Sequence, residues 1–245
     1  GALKRCHRLL VHSPYDMNRL KSLSLIHNVT LFPHGMLERG VAETGLRSRN
    51  DRFLVGSYGF FLPHKGLLEL IDAVAMLIKE GLPIELRMFN SEYPVNESRL
   101  LIDSANKKVS QLGLEKRVSI NTSFLDDEVC VANLSELDLI VFPYQDTGES
   151  ASGAVRYAFA SKTPVAITPL PIFDDVSEAA FKLPGQTTRD IAEGIKEIYY
   201  KFQNKSPEVE KIAEMAEEWR SQHSYPRISQ RLYGMLKALA NQVSE

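Results

Sequence analysis

The sequence has few of the features that mark secreted, metal-binding or membrane-spanning proteins. It contains two cysteines, Cys6 and Cys130, far apart in the chain. We expect both to be buried free thiols of a cytoplasmic protein, because a disulfide or metal framework uses more cysteines at closer spacing. No pair of Cys or His residues has zinc-ligand spacing. There is no apolar run long enough to cross a bilayer and no recognisable signal peptide.

An excess of charge of one sign is also missing. The chain has 29 Lys and Arg against 31 Asp and Glu, for a formal net charge of −2. This balance argues against a dedicated nucleic-acid partner. The 44% of hydrophobic and 24% of charged residues are typical of a globular protein. The length of 245 residues predicts one large domain or two small ones.

Short apolar runs alternate with helical patterns from residue 28 to residue 168. The runs are rich in β-branched and aromatic residues, which is typical of strands buried on both faces. The alternation predicts an α/β fold with a Rossmann-like, doubly wound parallel sheet, followed by C-terminal helices. Residues 36–51 lack periodicity and are interpreted as a loop. We predict strands at 8–12, 28–32, 52–58, 84–89, 117–121, 138–144, 164–168 and 181–183, and helices at 13–25, 67–80, 97–112, 126–135, 154–161, 188–203, 208–220 and 225–243.

The stretch from residue 138 to residue 168 supports this prediction most directly. It is a strand, a small polar loop, a helix and a second strand, so the two strands are expected to be parallel with a right-handed crossover. Ligands bind at the carboxyl ends of strands in such sheets. The first turn of a helix attracts anions such as phosphate, and small loop residues let the anion approach the backbone. The small residues of this loop are Gly148, Ser150, Ala151, Ser152 and Gly153.

Two charged residues stand in the predicted ligand-facing loops. Glu149 lies in the loop just described, where it would either bind sugar hydroxyls or serve as a solvated residue of a helix N-cap. Lys65 lies between Gly59 and Gly66, before a strongly amphipathic helix. Its ammonium group would either reach a bound diphosphate or remain a surface charge after a proline turn. Neither a Walker A loop nor a GxGxxG fingerprint is present.

Several segments together resemble one known family. They cover nearly the whole chain, and GFFLPHKG with ESASG is the most specific combination. The segments are VHS-x-Y (11–15), NVTLFPHG (28–35), GFFLPHKG (59–66), DLIVFPY (138–144), ESASGAVRYAFASKTPVAIT (149–168) and W-x-x-x-H-S-Y (219–225). The chain resembles the C-terminal, donor-binding domain of a retaining GT-B glycosyltransferase of the large family-4 (group 1) type.

The resemblance implies catalytic roles for two side chains. Lys65 would neutralise the diphosphate of a nucleotide-sugar donor, and Gly59 would leave room for it. Glu149 matches the first Glu of the family's E-x7-E pair and would bind hydroxyls of the donor sugar. The charge of the leaving group would then be stabilised by a lysine and a helix end, with no metal and no cofactor.

The resemblance also implies a binding role for the start of the helix after the loop. Backbone N–H groups of Ser152, Gly153 and Ala154 would hold the distal phosphate. Tyr144 ends the preceding strand and would either form a wall of the sugar or nucleotide pocket or pack in the core.

Two positions depart from the family pattern. The second Glu of the pair falls on Tyr157, so the usual carboxylate for the ribose hydroxyls is missing. Phe60 stands where many members have Arg, which removes a phosphate contact. These differences indicate either a subfamily that binds its nucleotide differently or a domain that has lost catalysis.

Histidines and one arginine lie near the predicted site. His12 and His34 are at strand ends, where a structural role and a ligand contact are both open. His64 would add a donor beside Lys65. Arg156 would replace the lost cation or, as the simpler interpretation, be a solvated helix residue.

The resemblance further implies a division of the chain and a function. Residues 1–27 would be a remnant of an N-terminal domain or a linker, residues 28–205 the nucleotide-sugar-binding domain, and residues 206–245 a C-terminal helical segment. We expect an excised donor-binding half, inactive alone, of an enzyme that transfers a sugar with retention to an unidentified acceptor. Its partners would be the donor and an acceptor-binding N-terminal domain, and peripheral membrane contact is left open. The alternative is a non-catalytic α/β module of a larger glycan-assembly protein.

Overall fold

The N-terminal part of the chain forms a small β–α–β unit. A computed structural model describes residues 2–25, 27–38 and 52–243. Strand β1 (Leu9–Val11), helix α1 (Pro14–Ser22) and strand β2 (Val29–Leu31) come first, and the two strands pair in parallel. Ser13 caps α1, because its side chain accepts a hydrogen bond from the Asp16 backbone N–H. The predicted boundary at residue 27 thus lies between two paired strands. Most of the predicted loop at 36–51 lies outside the described residues.

The main sheet is built from the alternating segments that follow. Their order along the chain matches the sequence prediction, and the ends differ by a few residues. The elements are β3 (Phe53–Phe60), α2 (Leu67–Lys79), β4 (Ile84–Ser91), α3 (Asn96–Gln111), β5 (Val118–Asn121), α4 (Asp127–Leu134), β6 (Leu139–Phe142), α5 (Gly153–Ala160), β7 (Val165–Ile167), β8 (Phe181–Lys182), α6 (Thr188–Gln203), α7 (Pro207–His223) and α8 (Tyr225–Val243).

The strand order creates a crevice beside β3, in the middle of the sheet. The six strands run β5-β4-β3-β6-β7-β8, and each neighbouring pair is parallel. The chain moves outward from β3 to β5 and then returns to the other side of β3 with β6. Such a reversal separates the loops that follow the two central strands and opens a ligand crevice at their carboxyl ends. The predicted Rossmann-like, doubly wound sheet is confirmed.

Helices cover both faces of this sheet. On one face, α2, α3 and α6 bury an apolar cluster, and the predicted stripe of α2 is confirmed by the burial of Leu70, Ile71 and Val74. On the other face, α4 and α5 bury a second cluster together with Trp219 of α7. The Trp219 ring lies 4.6 Å from the ring of Phe159, so α7 is packed onto α5.

Strand β3 is longer than its sequence pattern predicts. Gly59 and Phe60 continue the ladder and pair in register with Asn90 and Ser91 of β4. Gly59 has a φ of +131°, a conformation that a residue with a Cβ rarely adopts. The prediction ended the strand at Tyr58, because a Gly followed by bulky residues and Pro is typical of a turn.

One further expectation is wrong. Cys6 is exposed, because it follows a short surface turn (Ala2–Arg5), whereas Cys130 is buried as predicted. The apolar residues of α8 are only partly covered, since Ile228 is buried whereas Leu236 is exposed. Leu236 and its apolar neighbours on α8 line an open groove that they share with Leu10 of β1.

The loops that follow β3 and β6 fit closely against each other at Gly66. Gly66 has a φ of +66°, and a Cβ at this residue would lie 1.8 Å from the Pro143 carbonyl oxygen. The backbone N–H of Gln145 donates to the His64 carbonyl at 2.8 Å. The loop before α2 is therefore held against the loop after β6 by main-chain contacts.

We predict that Gly66→Ala destabilises the protein far more than Gly113→Ala. Gly113 has nearly the same φ, +65°, but a Cβ there meets nothing within 4 Å. Gly113→Ala should cost about 1–2 kcal/mol of unfolding free energy for the left-handed backbone. Gly66→Ala should cost about 1–3 kcal/mol more, because the added methyl overlaps the Pro143 carbonyl. Urea unfolding of both variants measures the difference, and equal costs would contradict the close contact of the two loops.

Candidate functional site

An ion pair joins the two loops at the crevice between β3 and β6. Lys65 ends a short 3₁₀ turn (Pro63–Lys65), and its Nζ donates to Glu149 Oε2 at 3.0 Å. Lys65 is 8% exposed, whereas 45% of the Glu149 side chain is exposed. The ammonium group therefore lies inside the site and the carboxylate lies at its rim. The alternative in which Lys65 remains a surface charge after a proline turn is therefore wrong.

Tyr144 connects Lys65 to the start of α5. The Lys65 Nζ lies 4.0 Å from the centre of the Tyr144 ring, a favourable cation–π distance. The hydroxyl of this buried tyrosine lies 3.1 Å from Ser152 Oγ. Tyr144 thus packs in the core beneath the site, which agrees with the second of the two expectations for this residue.

The first turn of α5 faces the same crevice. Ser152 is the N-cap, and its side chain accepts a hydrogen bond from the Val155 N–H at 3.4 Å. Because the cap is Ser152, the N-cap alternative for Glu149 is wrong. Gly153 is exposed, and a helix start offers N–H groups that have no partner within the helix.

Strand β3 ends directly against this turn. A Cβ on Gly59 would lie 3.3 Å from the Ala154 Cβ, tighter than an ordinary van der Waals contact. Gly59, at the end of β3, therefore lies against Ala154 of this turn. Lys65, in the loop that follows β3, pairs with Glu149 and is linked to Ser152 through the Tyr144 ring. A buried cation beside a helix N-terminus is an arrangement that attracts an anion.

His64 lies at the rim of the same site. Its Nε2 is 3.4 Å from Glu149 Oε1, close enough for an ion pair when protonated but without hydrogen-bond geometry. Burial, and then the neighbouring Lys65 charge, lower the pKa of His64 below its ordinary value. At neutral pH the imidazole is therefore neutral.

Tyr157 is held by a carboxylate from a neighbouring helix. Its hydroxyl donates to Asp127 Oδ1 at 2.8 Å, and its ring lies 5.1 Å from the ring of Tyr58. Burial and then the hydrogen bond to Asp127 raise the pKa of Tyr157 to about 12. The sequence prediction missed Asp127, because it is 30 residues away from Tyr157 and was interpreted only as a helix-start residue. The structure thus places a carboxylate beside the position where the resemblance expects a second Glu.

A cavity of about 370 Å³ opens between α4, α5 and the segment after β2. Asp127, Gly153, Tyr157 and His34 line it, together with Tyr225 at the start of α8. His34 Nδ1 lies 2.7 Å from the Gly35 carbonyl oxygen, and burial lowers the pKa of this imidazole. His34 thus reaches the cavity. The structure places His12 beside His34, with 5.4 Å between the ring centres.

Arg156 is buried, so the expectation of a solvated helix residue is wrong. It is 2% exposed, forms an ion pair with Asp175 and donates to the Ser152 carbonyl at 3.0 Å. Burial lowers its pKa and the Asp175 carboxylate opposes that shift. The Asp175 carbonyl in turn accepts a hydrogen bond from the Trp219 indole at 2.8 Å. Arg156 therefore ties the start of α5 to α7.

Neither a metal centre nor a membrane span occurs in the described ranges. No three His, Cys, Asp or Glu side chains are grouped there so that they could hold a metal ion. No helix among these residues is both long and apolar enough to cross a membrane.

No family model matches the chain, and no curated protein matches it.

Comparisons with solved structures give clear matches. Sucrose-phosphate synthase from Thermosynechococcus elongatus superimposes with a TM-score of 0.75 at 18% identity, covering 98% of this chain and 60% of that one. A glycosyltransferase from Rickettsia africae gives a TM-score of 0.77 at 14% identity, with 95% and 63% covered. HepE from Anabaena, in complex with UDP and glucose, gives 0.72 at 16% identity, with 96% and 64% covered.

These matches define the class of fold. The structural neighbours are GT-B glycosyltransferases, and the parallel six-stranded sheet with its flanking helices matches their domains. At identities of 14% to 18% the likeness shows the fold alone. The chain spans 60% to 64% of the length of these structures.

We predict that the protein loses stability as the pH falls below about 6.5. The folded state lowers the pKa of His34, His64 and His223 from 6.5, chiefly through burial. The unfolded chain therefore takes up protons at a higher pH than the folded chain, and unfolding is favoured by acid. Urea unfolding at about pH 8 and about pH 5.5 should show the lower free energy at acid pH. His64→Gln should reduce the difference, and equal or greater stability at acid pH would contradict the burial of these imidazoles.

Proposed function

We propose that the chain binds a nucleotide-diphosphate sugar at the site formed by Lys65, Glu149 and the first turn of α5. It would act as the donor-binding domain of a retaining glycosyltransferase of the family-4 type. The observation that carries this proposal is the convergence of a buried ammonium group and a helix start at the crevice between β3 and β6. Lys65 Nζ lies 3.0 Å from Glu149 Oε2 in this crevice.

The proposed site has the charges that sugar transfer requires. When the bond between the sugar and the distal phosphate breaks, negative charge builds up on that phosphate. The Lys65 ammonium and the N–H groups at the start of α5 would stabilise it without reorganisation, because both are already fixed by packing. Lys65 is held by the Tyr144 ring and α5 by its Ser152 cap. No metal is needed for this step in our proposal.

Glu149 would bind hydroxyls of the donor sugar. Its carboxylate is part-exposed at the rim of the site and is held next to Lys65. A carboxylate accepts hydrogen bonds from two hydroxyl groups at once. Because the ion pair holds Lys65 next to Glu149, the group that binds the phosphate and the group that binds the sugar would lie at a fixed distance from each other.

Three structures of one neighbouring protein support this class of ligand. HepE from Anabaena superimposes on the chain in complexes with UDP, with UDP and glucose, and with UDP-glucose. A uridine diphosphate sugar is therefore the first donor that we would test.

The N-terminal unit supports the proposal of a second, acceptor-binding domain. β1 and β2 form a two-stranded sheet, and a sheet of two short strands is marginally stable alone. Leu10 and Leu31 on these strands are exposed. We propose that the paired strands β1 and β2 belong together to that second domain, so that the boundary with the donor-binding domain follows β2 and does not fall at residue 27. Residues 206–245 would be the helical segment that follows the donor-binding domain.

A second candidate function rests on Tyr157. By the resemblance, Tyr157 stands where the family has a carboxylate, and its hydroxyl is already hydrogen-bonded to Asp127. If this pair blocks the nucleotide, the chain would be a non-catalytic binding module of a larger glycan-assembly protein. The binding experiments below distinguish the two functions.

We predict that Lys65→Met weakens UDP binding about 10- to 150-fold, the range expected when a charged hydrogen bond is lost. Methionine keeps the stem over the Tyr144 ring, so the fold should survive. Calorimetric titration with UDP measures the effect. Lys79→Met, at the exposed far end of α2, is the matched control and should bind as the wild type does. A folded wild-type chain that binds no UDP, GDP or ADP would favour the binding-module function.

We predict a different effect for Glu149→Gln. This change should remove the affinity advantage of UDP-glucose over UDP, because the sugar loses a charged acceptor. UDP itself should bind at least as tightly, since a negative charge near the phosphates is removed. Parallel titrations with both ligands measure this. An equal loss of affinity for UDP and UDP-glucose would contradict the sugar role.

A further inference from the structure

The Glu149 carboxylate lies between two side chains of one short turn. Its Oε2 accepts a hydrogen bond from the Lys65 Nζ at 3.0 Å, and its Oε1 lies 3.4 Å from His64 Nε2. Each carboxylate oxygen therefore faces a different nitrogen of the turn that precedes α2. We call Lys65, Glu149 and His64 the charge triad.

The imidazole of the charge triad is fixed in place. The His64 ring meets the Tyr144 ring edge to face, with 6.4 Å between the ring centres and an angle of 89°. The His64 carbonyl accepts a hydrogen bond from the Gln145 N–H, so the backbone of the turn is anchored as well. The Lys65 Nζ lies over the same Tyr144 ring. His64 and Lys65 thus both rest against Tyr144, which fixes them relative to each other.

The nitrogen of His64 that faces Glu149 lacks a hydrogen bond. This Nε2 atom is shielded from solvent and has no hydrogen-bond partner among the described residues. A carboxylate can accept hydrogen bonds but can donate none, so a bare Nε2 and Glu149 Oε1 face each other with lone pairs. A proton on Nε2 would supply the missing donor. The charge triad therefore has a place for one more proton.

Burial and a neighbouring charge keep this proton away at neutral pH. Burial of the imidazole lowers the pKa of His64, and the Lys65 charge lowers it further. The carboxylates of Glu149, in the loop after β6, and of Glu97, in the first turn of α3, oppose the shift. These three are the charged groups that act most strongly on the imidazole. A negative charge added nearby would favour its protonation.

The charge triad has no net charge to offer a diphosphate while His64 is neutral. Lys65 and Glu149 form an ion pair, so their charges cancel. The diphosphate of a nucleotide sugar is a dianion, and it would compete with Glu149 for the Lys65 Nζ. A protonated His64 would hold Glu149 through Oε1 and leave Lys65 to the phosphates. The triad would then carry a net positive charge.

We propose that His64 is a positioning residue for Glu149 that takes up a proton from solvent when a diphosphate binds at Lys65, and this inference rests on the proposed function. The negative charge of the ligand and the hydrogen bond to Glu149 both favour the charged imidazole. Because binding and protonation favour each other, the donor binds more tightly as the pH falls.

The test is calorimetric titration with UDP-, GDP- and ADP-glucose. Their diphosphates are esterified at both ends, so they lack the terminal phosphate group that titrates near about pH 6. Titration at neutral pH in buffers of different ionisation enthalpy measures the protons taken up. We expect the wild type to take up a fraction of one proton per ligand bound. Its affinity should be about 3- to 30-fold higher at about pH 6 than at about pH 8, since one linked proton allows at most about tenfold per pH unit.

Two substitutions of His64 separate its charge from its packing. His64→Gln should abolish the proton uptake, and it should bind at every pH as weakly as the wild type does in alkaline solution. His64→Arg carries a fixed charge, so it should bind tightly at every pH and also take up no proton. A role in packing alone would weaken binding in both variants and leave its pH dependence unchanged.

A matched variant controls for the loss of another histidine. His27 is exposed and precedes β2, outside the candidate site. His27→Gln should therefore keep the proton uptake and the pH dependence of the wild type. Thermal unfolding at both pH values checks that each variant is folded under the conditions of the titration.

The outcomes separate the inference from the function on which it rests. If a nucleotide sugar binds without proton uptake, or if His64→Gln takes up as many protons as the wild type, the inference is wrong and the donor site stands. If His64→Gln and His64→Arg weaken binding equally at every pH, His64 only packs the turn, which also overturns the inference. If the folded wild type binds none of the three nucleotide sugars, both the inference and the proposed function are wrong.

Discussion

The close contact between the loops after β3 and β6 is the constraint on which the candidate site depends. Gly66 has no Cβ, so the Pro143 carbonyl can approach it, and the Gln145 N–H can reach the His64 carbonyl. This contact sets Lys65 inside the crevice and lets it pair with Glu149. The strand order adds the other half of the site, because the reversal beside β3 places the start of α5 opposite.

Much of the fold was predictable because it depends on local patterns. Buried parallel strands are short and β-branched, and α2 carries a regular apolar stripe, so element types and order followed from periodicity. The pairing of Lys65 with Glu149 was only partly predictable. The loops were expected at one edge of the sheet, but a direct ion pair across 84 residues depends on side-chain geometry.

Other features could not be predicted because they depend on tertiary packing. An arginine in a helix is expected to be solvated, yet Arg156 is buried against Asp175 and the Trp219 ring. Tyr157 departs from the family pattern, and only the structure shows that Asp127 supplies a neighbouring carboxylate. α8 has an amphipathic pattern, but most of its apolar stripe lies along an open groove. Periodicity reports that a face is apolar and does not report what covers it.

We propose that a single diphosphate is held between Lys65 and the first turn of α5. A crystal structure of this chain with UDP tests the claim most directly. We predict phosphate oxygens within hydrogen-bond distance, about 3 Å, of both the Lys65 Nζ and backbone N–H groups at Gly153 or Ala154. UDP bound elsewhere, with the Lys65–Glu149 pair facing empty solvent, would contradict it.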